Sequence, residues 1–506
     1  MNTSKMNIAF RVDASSQIGT GHFMRCLTLA DALNQRGAQI RFISRHLLEH
    51  LQCLLLNKGY EFMTLESQAH EEDDDLAHSH WLGTTQQYDA DEVLQLLSDR
   101  IWDWLVVDHY ALDARWESLL RKSAKRLMVI DDLADRMHDC DILLDQNYYA
   151  DMETRYTGKV PVNCQLLLGP HYALLREEFR QWRQQVRPRT GPVKSILVFF
   201  GGVDVDNFTG LTIEALAGLG LSGLHIDVVI GAQHPFREQI ESDCSDHKFY
   251  CYVQTDRMAE LMAKTDLAIG AGGSATWERC CLGLPALAIS TASNQSKQVA
   301  DAGSCGLLYA PEINDNIKTF INRHLPALID NSNLIKFISN NDLQAVDGKG
   351  VSRVIRNLGC SGIEMRVAGK GDSEKIFEWR NHPKIRAVSR NREVISWEDH
   401  GKWFAKVLSS PDNVLLIGYS NSEPVGVVRF DNKDDEAEVS IYLVPGLKES
   451  GVGADLLQCA EHWFSIHYPE IRKIVACVLG DNGRSNHLFL GAGYRVESTS
   501  YIKELA

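Results

Sequence analysis

Residues 8–33 read as a β-strand that runs into a glycine loop and continues as a helix. The apolar run Ile8-Ala9-Phe10 precedes the stretch Arg11–Arg25, RVDASSQIGTGHFMR, and Phe23, Leu27, Ala30 and Leu33 then recur at helical spacing. Such a junction commits the chain to an α/β layout and makes an anion site. Gly19 and Gly21 let the backbone come close to a ligand, while the free N–H groups and positive dipole end of the helix favour a phosphate or a developing negative charge. His22 stands at that mouth, where the dipole disfavours imidazolium and keeps a neutral ring available as a general base. A histidine after a glycine is also a common loop residue or cap, so spacing alone leaves both roles open.

The pattern continues as βαβ. Gly37 is placed to end the helix, and Ile40–Ile43 form the next strand. Two short apolar runs end in aspartate, at Asp108 and Asp131, in the form of buried parallel strands whose carboxyl ends open onto a site. Asp108, His109 and Tyr110 are therefore candidate cleft residues, although an Asp after a strand is equally a helix cap or turn former. The acidic run 71–75 is read as a solvated loop, because contiguous carboxylates repel and rarely converge on one ion. A polar stretch at 171–194 reads as a connecting helix and hinge. The strand Ile196–Phe200 then opens a second, similar half. Its strand Leu267–Ile269 leads into Gly270-Ala271-Gly272-Gly273-Ser274 and a helix through Trp277-Glu278, a better diphosphate cradle than the first loop.

The run R-x-D-x-S-x-x-I-G-x-G-H-x-x-R-C (Arg11, Asp13, Ser15, Ile18, Gly19, Gly21, His22, Arg25, Cys26) resembles the nucleotide-sugar hydrolases of pseudaminic acid biosynthesis, which release UDP from UDP-2,4-diacetamido-2,4,6-trideoxy-β-L-altropyranose. The later order G-G-S-x-x-W-E, C-L-G-L-P and N-Q is similar to the C-terminal half of the same family and of MurG-like enzymes. This resemblance implies the two-domain GT-B fold, a catalytic His22 with Asp13 orienting it or the sugar, and UDP-sugar contacts from Gly19, Gly21, Arg25, Gly272, Gly273, Ser274, Glu278 and Asn294. In that arrangement backbone N–H groups cover the phosphates without a metal, and the Glu278 carboxylate accepts from the ribose hydroxyls.

The pattern resets near Gly359. The strand around Val439–Leu443 runs through a glycine-bearing turn into an amphipathic helix with Leu456, Leu457, Ala460 and Trp463 on one face, a further anion cradle. The turn resembles motif A of the GNAT acetyltransferases, with Lys448 where Arg or Gln is usual, and Asn482 and the ending Gly491-Ala492-Gly493-Tyr494 extend the likeness. It implies acetyl-CoA as co-substrate, held by Leu443, Lys448, Glu449, Ser450, Gly451, Val452, Gly453, Ala454 and Asn482. Phe489 stands where many members carry a Tyr acting as acid toward the thiolate, which leaves Tyr442 and Tyr494 as weaker candidates; Glu438 is the candidate base for the amine. Trp379–Pro383 and Ile395–His400 resemble the substrate side of GNATs that acetylate 4-amino sugars on UDP.

The fold class expected is α/β: a two-domain GT-B unit of paired Rossmann-like parallel sheets, 1–180 and 181–358, followed by a GNAT α/β domain with a mixed sheet, 359–506. A length of 506 residues fits several domains at about 150 residues each. A formal charge of −15 with no basic block argues against a nucleic-acid partner. Twelve scattered cysteines without zinc spacings point to reduced thiols and no metal, and no segment reads as a signal or membrane span, so a cytoplasmic location is expected. The function expected is acetylation of the 4-amino group of UDP-4-amino-4,6-dideoxy-N-acetyl-β-L-altrosamine and hydrolysis of the product to sugar and UDP. The alternatives are a GT-B glycosyltransferase with an accessory acetyltransferase, and a UDP-sugar-binding regulatory module with a degenerate GNAT.

Overall fold

The structure, a computed structural model, describes residues 6–15, 17–66, 75–221, 223–313, 316–360, 362–420, 423–447, 451–479 and 482–497, with 293 and 294 described through their backbone alone. The chain forms two compact units, Met1–Leu358 and Gly359–Ala506.

The first unit contains two parallel sheets. The strands β1 (Asn7–Val12), β2 (Gln39–Ser44), β3 (Glu61–Thr64), β4 (Trp102–Asp108), β5 (Ala124–Ile130), β6 (Ile142–Asp145) and β7 (Gln165–Leu168) lie in the order β3-β2-β1-β4-β5-β6-β7. The strands β8 (Ser195–Phe199), β9 (His225–Ile230), β10 (Tyr250–Val253), β11 (Leu267–Ala271) and β12 (Ala286–Ile289) lie in the order β10-β9-β8-β11-β12. These strands read as continuous apolar runs because helices cover both faces of a parallel sheet. Each sheet reverses its winding once, between β1 and β4 and between β8 and β11, and a ligand crevice opens at the carboxyl ends of such a pair. The register sets what lies there: Val12 pairs with Asp108 in one sheet, and Gly270 with Phe199 in the other. Gly270 tolerates no side chain, since a Cβ there would meet the Phe199 carbonyl oxygen at 2.1 Å.

The second unit is a mixed sheet, β13 (Glu364–Val367), β14 (Asn413–Ser420), β15 (Glu423–Lys433), β16 (Glu436–Leu443) and β17 (Lys473–Ala476), in sequence order. All neighbours are antiparallel except β16 and β17, whose parallel pairing stops at Val439 and Ala476 although β16 continues to Leu443. The two strands therefore part, leaving backbone groups of β16 without a strand partner on that side. The helix Val452–His467 covers the sheet and buries Leu456, Leu457 and Ala460, the face expected from their spacing. Trp463, expected beside them, is only partly buried. The expected order of two parallel sheets followed by a mixed one is the order the chain adopts.

A buried histidine ties the first sheet to its flanking helix Ala114–Leu120. His138 Nδ1 lies 2.8 Å from Glu117 Oε1 and its Nε2 3.8 Å from Asp131 Oδ2. Burial alone would lower its pKa, but the carboxylates outweigh this and raise it from 6.5 to about 9. Its contribution to stability is thus full below the unfolded value of 6.5 and is lost as pH rises through about 9. His138→Gln should flatten this loss, so that chemical denaturation of variant and parent from pH 6 to 10 shows the largest stability difference at the acid end; an equal difference throughout would contradict it.

Candidate functional site

At the β1/β4 switch the helix Gly21–Asn34 begins one residue after Thr20, which makes no side-chain cap, so the first N–H groups stay available at its mouth. Before it, a tight loop is closed by Gly19 N–H donating to the Ser15 carbonyl at 2.8 Å, with Gly19 at φ +77°, a conformation glycine takes without strain. His22 lies on the helix's first turn with its side chain 11% exposed. Its Nδ1 is 2.6 Å from Asp108 Oδ1. Asp108 is buried, which by itself raises a carboxyl's pKa, but Arg25 and His22 hold it well below the usual carboxylate range. An ionised carboxylate only accepts, so the Asp108 contact assigns a proton to Nδ1, with Arg25 Nη2 lying 3.2 Å from the same atom, and Nε2 makes no hydrogen bond among the described residues. Tyr110 meets the imidazole edge-on at 4.6 Å, and Trp81 stacks on Tyr110 at 5.5 Å with His78 alongside, so Nε2 sits beside an aromatic wall.

Two expectations are corrected here. Asp13 does not orient His22. It is wholly buried, accepts from Arg11 Nη1 at 2.7 Å and from the Arg45 N–H at 2.8 Å, and faces His109 Nε2 at 3.1 Å. Burial would raise its carboxyl, but the Arg11 charge and His109 hold it far below its ordinary value. Arg25 is not free for UDP either, because its guanidinium is spent on Asp108 (2.6 and 2.7 Å) and Asp132 (3.0 Å) and is 7% exposed. Both residues lie within the motif but behind the histidine. The carboxylates around His22 and Arg25 come from the ends of later strands: Asp108 closes β4 and bonds His22, and Asp132 follows β5 and bonds Arg25. Tyr110 also donates to Asp132. Burial and the neighbouring Asp132 push the Asp145 carboxyl up to about 8.

The second glycine loop stands at the β8/β11 switch. Gly273, at φ +80°, caps the helix Ser274–Cys281 without a side-chain bond, and Ser274 is exposed at the helix start. Gly272 is close-packed, since a Cβ would reach Val299 at 2.6 Å and Gln295 at 3.2 Å. Glu278 lies one turn beyond Ser274 on the same face, with Arg176 Nη2 at 3.7 Å, and burial raises its pKa. A group at the loop and a second at Glu278 can thus be met by one extended ligand. Asn294 is the second residue of the helix Ser293–Ser304, and its side chain lies outside the described residues. Of the acidic run only Asp75 is described, paired with Arg115 at 3.0 Å. Among the described residues no group of three or more His, Cys, Asp or Glu could hold a metal ion, and no helix is long and apolar enough to cross a membrane.

In the second unit a cavity of ≈ 500 Å³ opens where β16 and β17 part, lined by Glu438, Ser440 and Tyr442 from β16, by Asn482 and Phe489, and by Arg380, His400 and Trp403 from the opposite wall. Glu438 is ion-paired with Arg390. Tyr442 has its phenol pKa raised by burial, and its hydroxyl has no hydrogen-bond partner among the described residues. The Tyr494 hydroxyl, in contrast, donates to Glu461 at 2.5 Å. Of the two phenols, Tyr442 is the one that lines the cavity. Gly451 caps the helix Val452–His467 at φ +96°, and its Ala454 N–H donates back to Gly451, leaving the Val452 and Gly453 N–H groups at the mouth. Any side chain at Gly451 is strained by that backbone alone, whereas a Cβ at Gly453 meets only Leu443, at 3.8 Å. Asn482 caps the helix Gly483–Gly491 by accepting from the Ser485 N–H at 3.2 Å. Lys448, Glu449 and Ser450 lie outside the described residues. Arg380 stood in a segment whose likeness to substrate-side motifs was legible, but nothing in its spacing marked it as a cavity residue.

Residues 363–495 match the family model of the Acetyltransferase (GNAT) domain. The whole chain is 23% identical over 518 residues to an uncharacterized protein of Methanocaldococcus jannaschii, covering 97% of each. It is 25% identical over 292 residues to the UDP-2,4-diacetamido-2,4,6-trideoxy-beta-L-altropyranose hydrolase of Campylobacter jejuni, across 57% of this chain and 93% of that one. It is 26% identical over 117 residues to the acetyltransferase PseH of Campylobacter jejuni, across 23% of this chain and 72% of that one. The C-terminal unit thus holds a GNAT domain, and the chain joins homology to a UDP-sugar hydrolase with homology to N-acetyltransferases.

The His22 tautomer is directly measurable. Nitrogen-15 NMR of histidine-labelled protein above pH 8 should show His22 protonated at Nδ1, and Asp108→Asn, which replaces the acceptor with an amide that also donates, should move population to the Nε2–H form. An unchanged tautomer would show that Asp108 does not set it.

Proposed function

We propose that the chain carries two consecutive activities on one nucleotide sugar: N-acetylation of the 4-amino group of UDP-4-amino-4,6-dideoxy-N-acetyl-β-L-altrosamine by acetyl-CoA, and hydrolysis of the diacetamido product to free sugar and UDP. The observation that carries the reading is the His22–Asp108 pair with Nε2 unengaged among the described residues, in a chain similar both to a hydrolase of that UDP-sugar and to PseH. In the hydrolysis, water attacks the anomeric carbon, His22 Nε2 takes the water proton, and the bond to the phosphate oxygen breaks. The negative charge appearing on UDP falls to the N–H groups of Gly273 and Ser274, with Glu278 accepting from the ribose hydroxyls. Asp108 supports the imidazolium that forms, as an ionised partner does in a general-base pair. The aromatic wall of Tyr110 and Trp81 suits the methyl and ring C–H face of a deoxy sugar.

For acetyl transfer, the pyrophosphate of acetyl-CoA meets the loop before the helix Val452–His467, where Val452, Gly453 and Ala454 follow Gly451. The backbone of β16 beyond Val439, free of a strand partner on the β17 side, suits the coenzyme's amides. The amine attacks the thioester carbon after giving its proton to Glu438, directly or through water. The C–S bond then breaks, and Tyr442 protonates the thiolate in place of the phenol that Phe489 lacks.

The two sites predict a crossed result. His22→Ala should abolish UDP release, by about 10²–10⁴-fold, and leave thiol release from acetyl-CoA intact, while Tyr442→Phe should slow thiol release and leave UDP release from the pre-acetylated sugar unchanged. Measuring both products in both variants checks it. Undiminished UDP release by folded His22→Ala protein would refute the hydrolytic role.

A further inference from the structure

The helix that follows the second glycine loop has two faces. Ser274 and Glu278 share the accessible one, and Trp277 points the other way and is wholly buried. Its indole Nε1 donates to Asn147 Oδ1 at 2.7 Å. The Nδ2 of the same amide donates to Asp132 Oδ2 at 3.0 Å, and Arg25 Nη1 donates to that oxygen at 3.0 Å. Arg25 in turn grips Asp108 through Nε and Nη2, and Asp108 holds His22 Nδ1 at 2.6 Å. An unbroken hydrogen-bonded chain therefore runs from the helix of the second loop to the imidazole at the first. From Trp277 to Asp108 every link is buried, the Asp132 side chain being the most exposed at 11%, so water poorly replaces a lost partner.

Asn147 is the joint of this chain. An amide donates and accepts at once, which the link needs, because the indole can only donate and the carboxylate can only accept. Its own backbone is pinned by its N–H donating to Asp145 Oδ1 at 3.0 Å. Tyr149 adds a second brace, donating from its hydroxyl to the Asp132 carbonyl at 2.9 Å. The apolar packing of Trp277 could hold the two sheets together without any such bonds. The directional bonds add something else: a continuous geometric link between the glycine-loop helix and the side chains that hold His22.

We infer that Asn147 is a positioning residue through which occupancy of the Gly272–Ser274 loop sets the aim of His22. This rests on the reading that the loop takes the nucleoside diphosphate and that His22 serves its release. Coupling of this kind is reciprocal, so the diphosphate and the state of the histidine each bias the other.

The test uses the full chain with Asn147→Leu, which keeps the volume and removes both arms of the amide, and Trp277→Phe, which keeps a ring and removes the donor. UDP is the probe. In the parent, UDP should move the His22 ¹⁵N resonances, and in both variants that movement should shrink while the UDP inhibition constant stays within about twofold; kcat for UDP release should fall about tenfold with KM little changed. A variant that loses UDP affinity and kcat together with a lowered melting midpoint would show a structural role only, and overturn the inference. So would a His22 response to UDP equal to the parent's, since the ligand would then act on the ring directly. Should the parent release no UDP, the functional reading fails while the resonance comparison still decides the coupling.

Discussion

The first unit is arranged around the buried carboxylate of Asp108. Taking an ionised carboxylate out of water costs several kcal/mol unless it is fully paired. Asp108 is paired on every side: Arg25 grips both oxygens, His22 takes one, and Cys26 lies 3.4 Å from the other. All three partners sit on the helix Gly21–Asn34, so one residue at the end of β4 fixes how the helix after β1 docks across the switch point. The same bonds leave a single histidine nitrogen unused. Stability and the proposed chemistry therefore draw on one group.

The chain reaches an anion-ready loop three times by different backbone devices. In the two parallel sheets the loop follows the strand at which the winding reverses, and the crevice is a consequence of strand order. In the mixed sheet no such reversal exists, and the opening comes from β16 outrunning its pairing with β17. The same unit holds the cavity lined by Tyr442, Glu438, Arg380 and Trp403.

Strand positions, loops and helix faces were legible because apolar runs and glycines are local signals. The strands expected at Ile196–Phe200 and Leu267–Ile269 fall at Ser195–Phe199 and Leu267–Ala271. The side-chain roles within the first site were less so. Asp13 and Arg25 belong to the same motif as His22, but nearness in sequence does not say which way a side chain points, and both turn toward the interior. Asp108 was visible as the end of an apolar strand without a role attached. Asn147 and Asp132 had no signal at all, because what joins them is the parallel order of β4, β5 and β6, which brings three strand ends together. Likewise Phe489 announced a missing phenol, while only the geometry separates Tyr442 from Tyr494, whose hydroxyl is committed to Glu461.

The claim at the centre of this account is that two sites on one chain act in order on one sugar. A quenched-flow experiment with the UDP-4-amino sugar, following free thiol and UDP together with and without acetyl-CoA, tests it most directly. The account predicts that thiol appears first, that UDP follows after a lag, and that withholding acetyl-CoA suppresses UDP release. UDP release from the unacetylated sugar at an undiminished rate, or thiol release never followed by UDP, would contradict it.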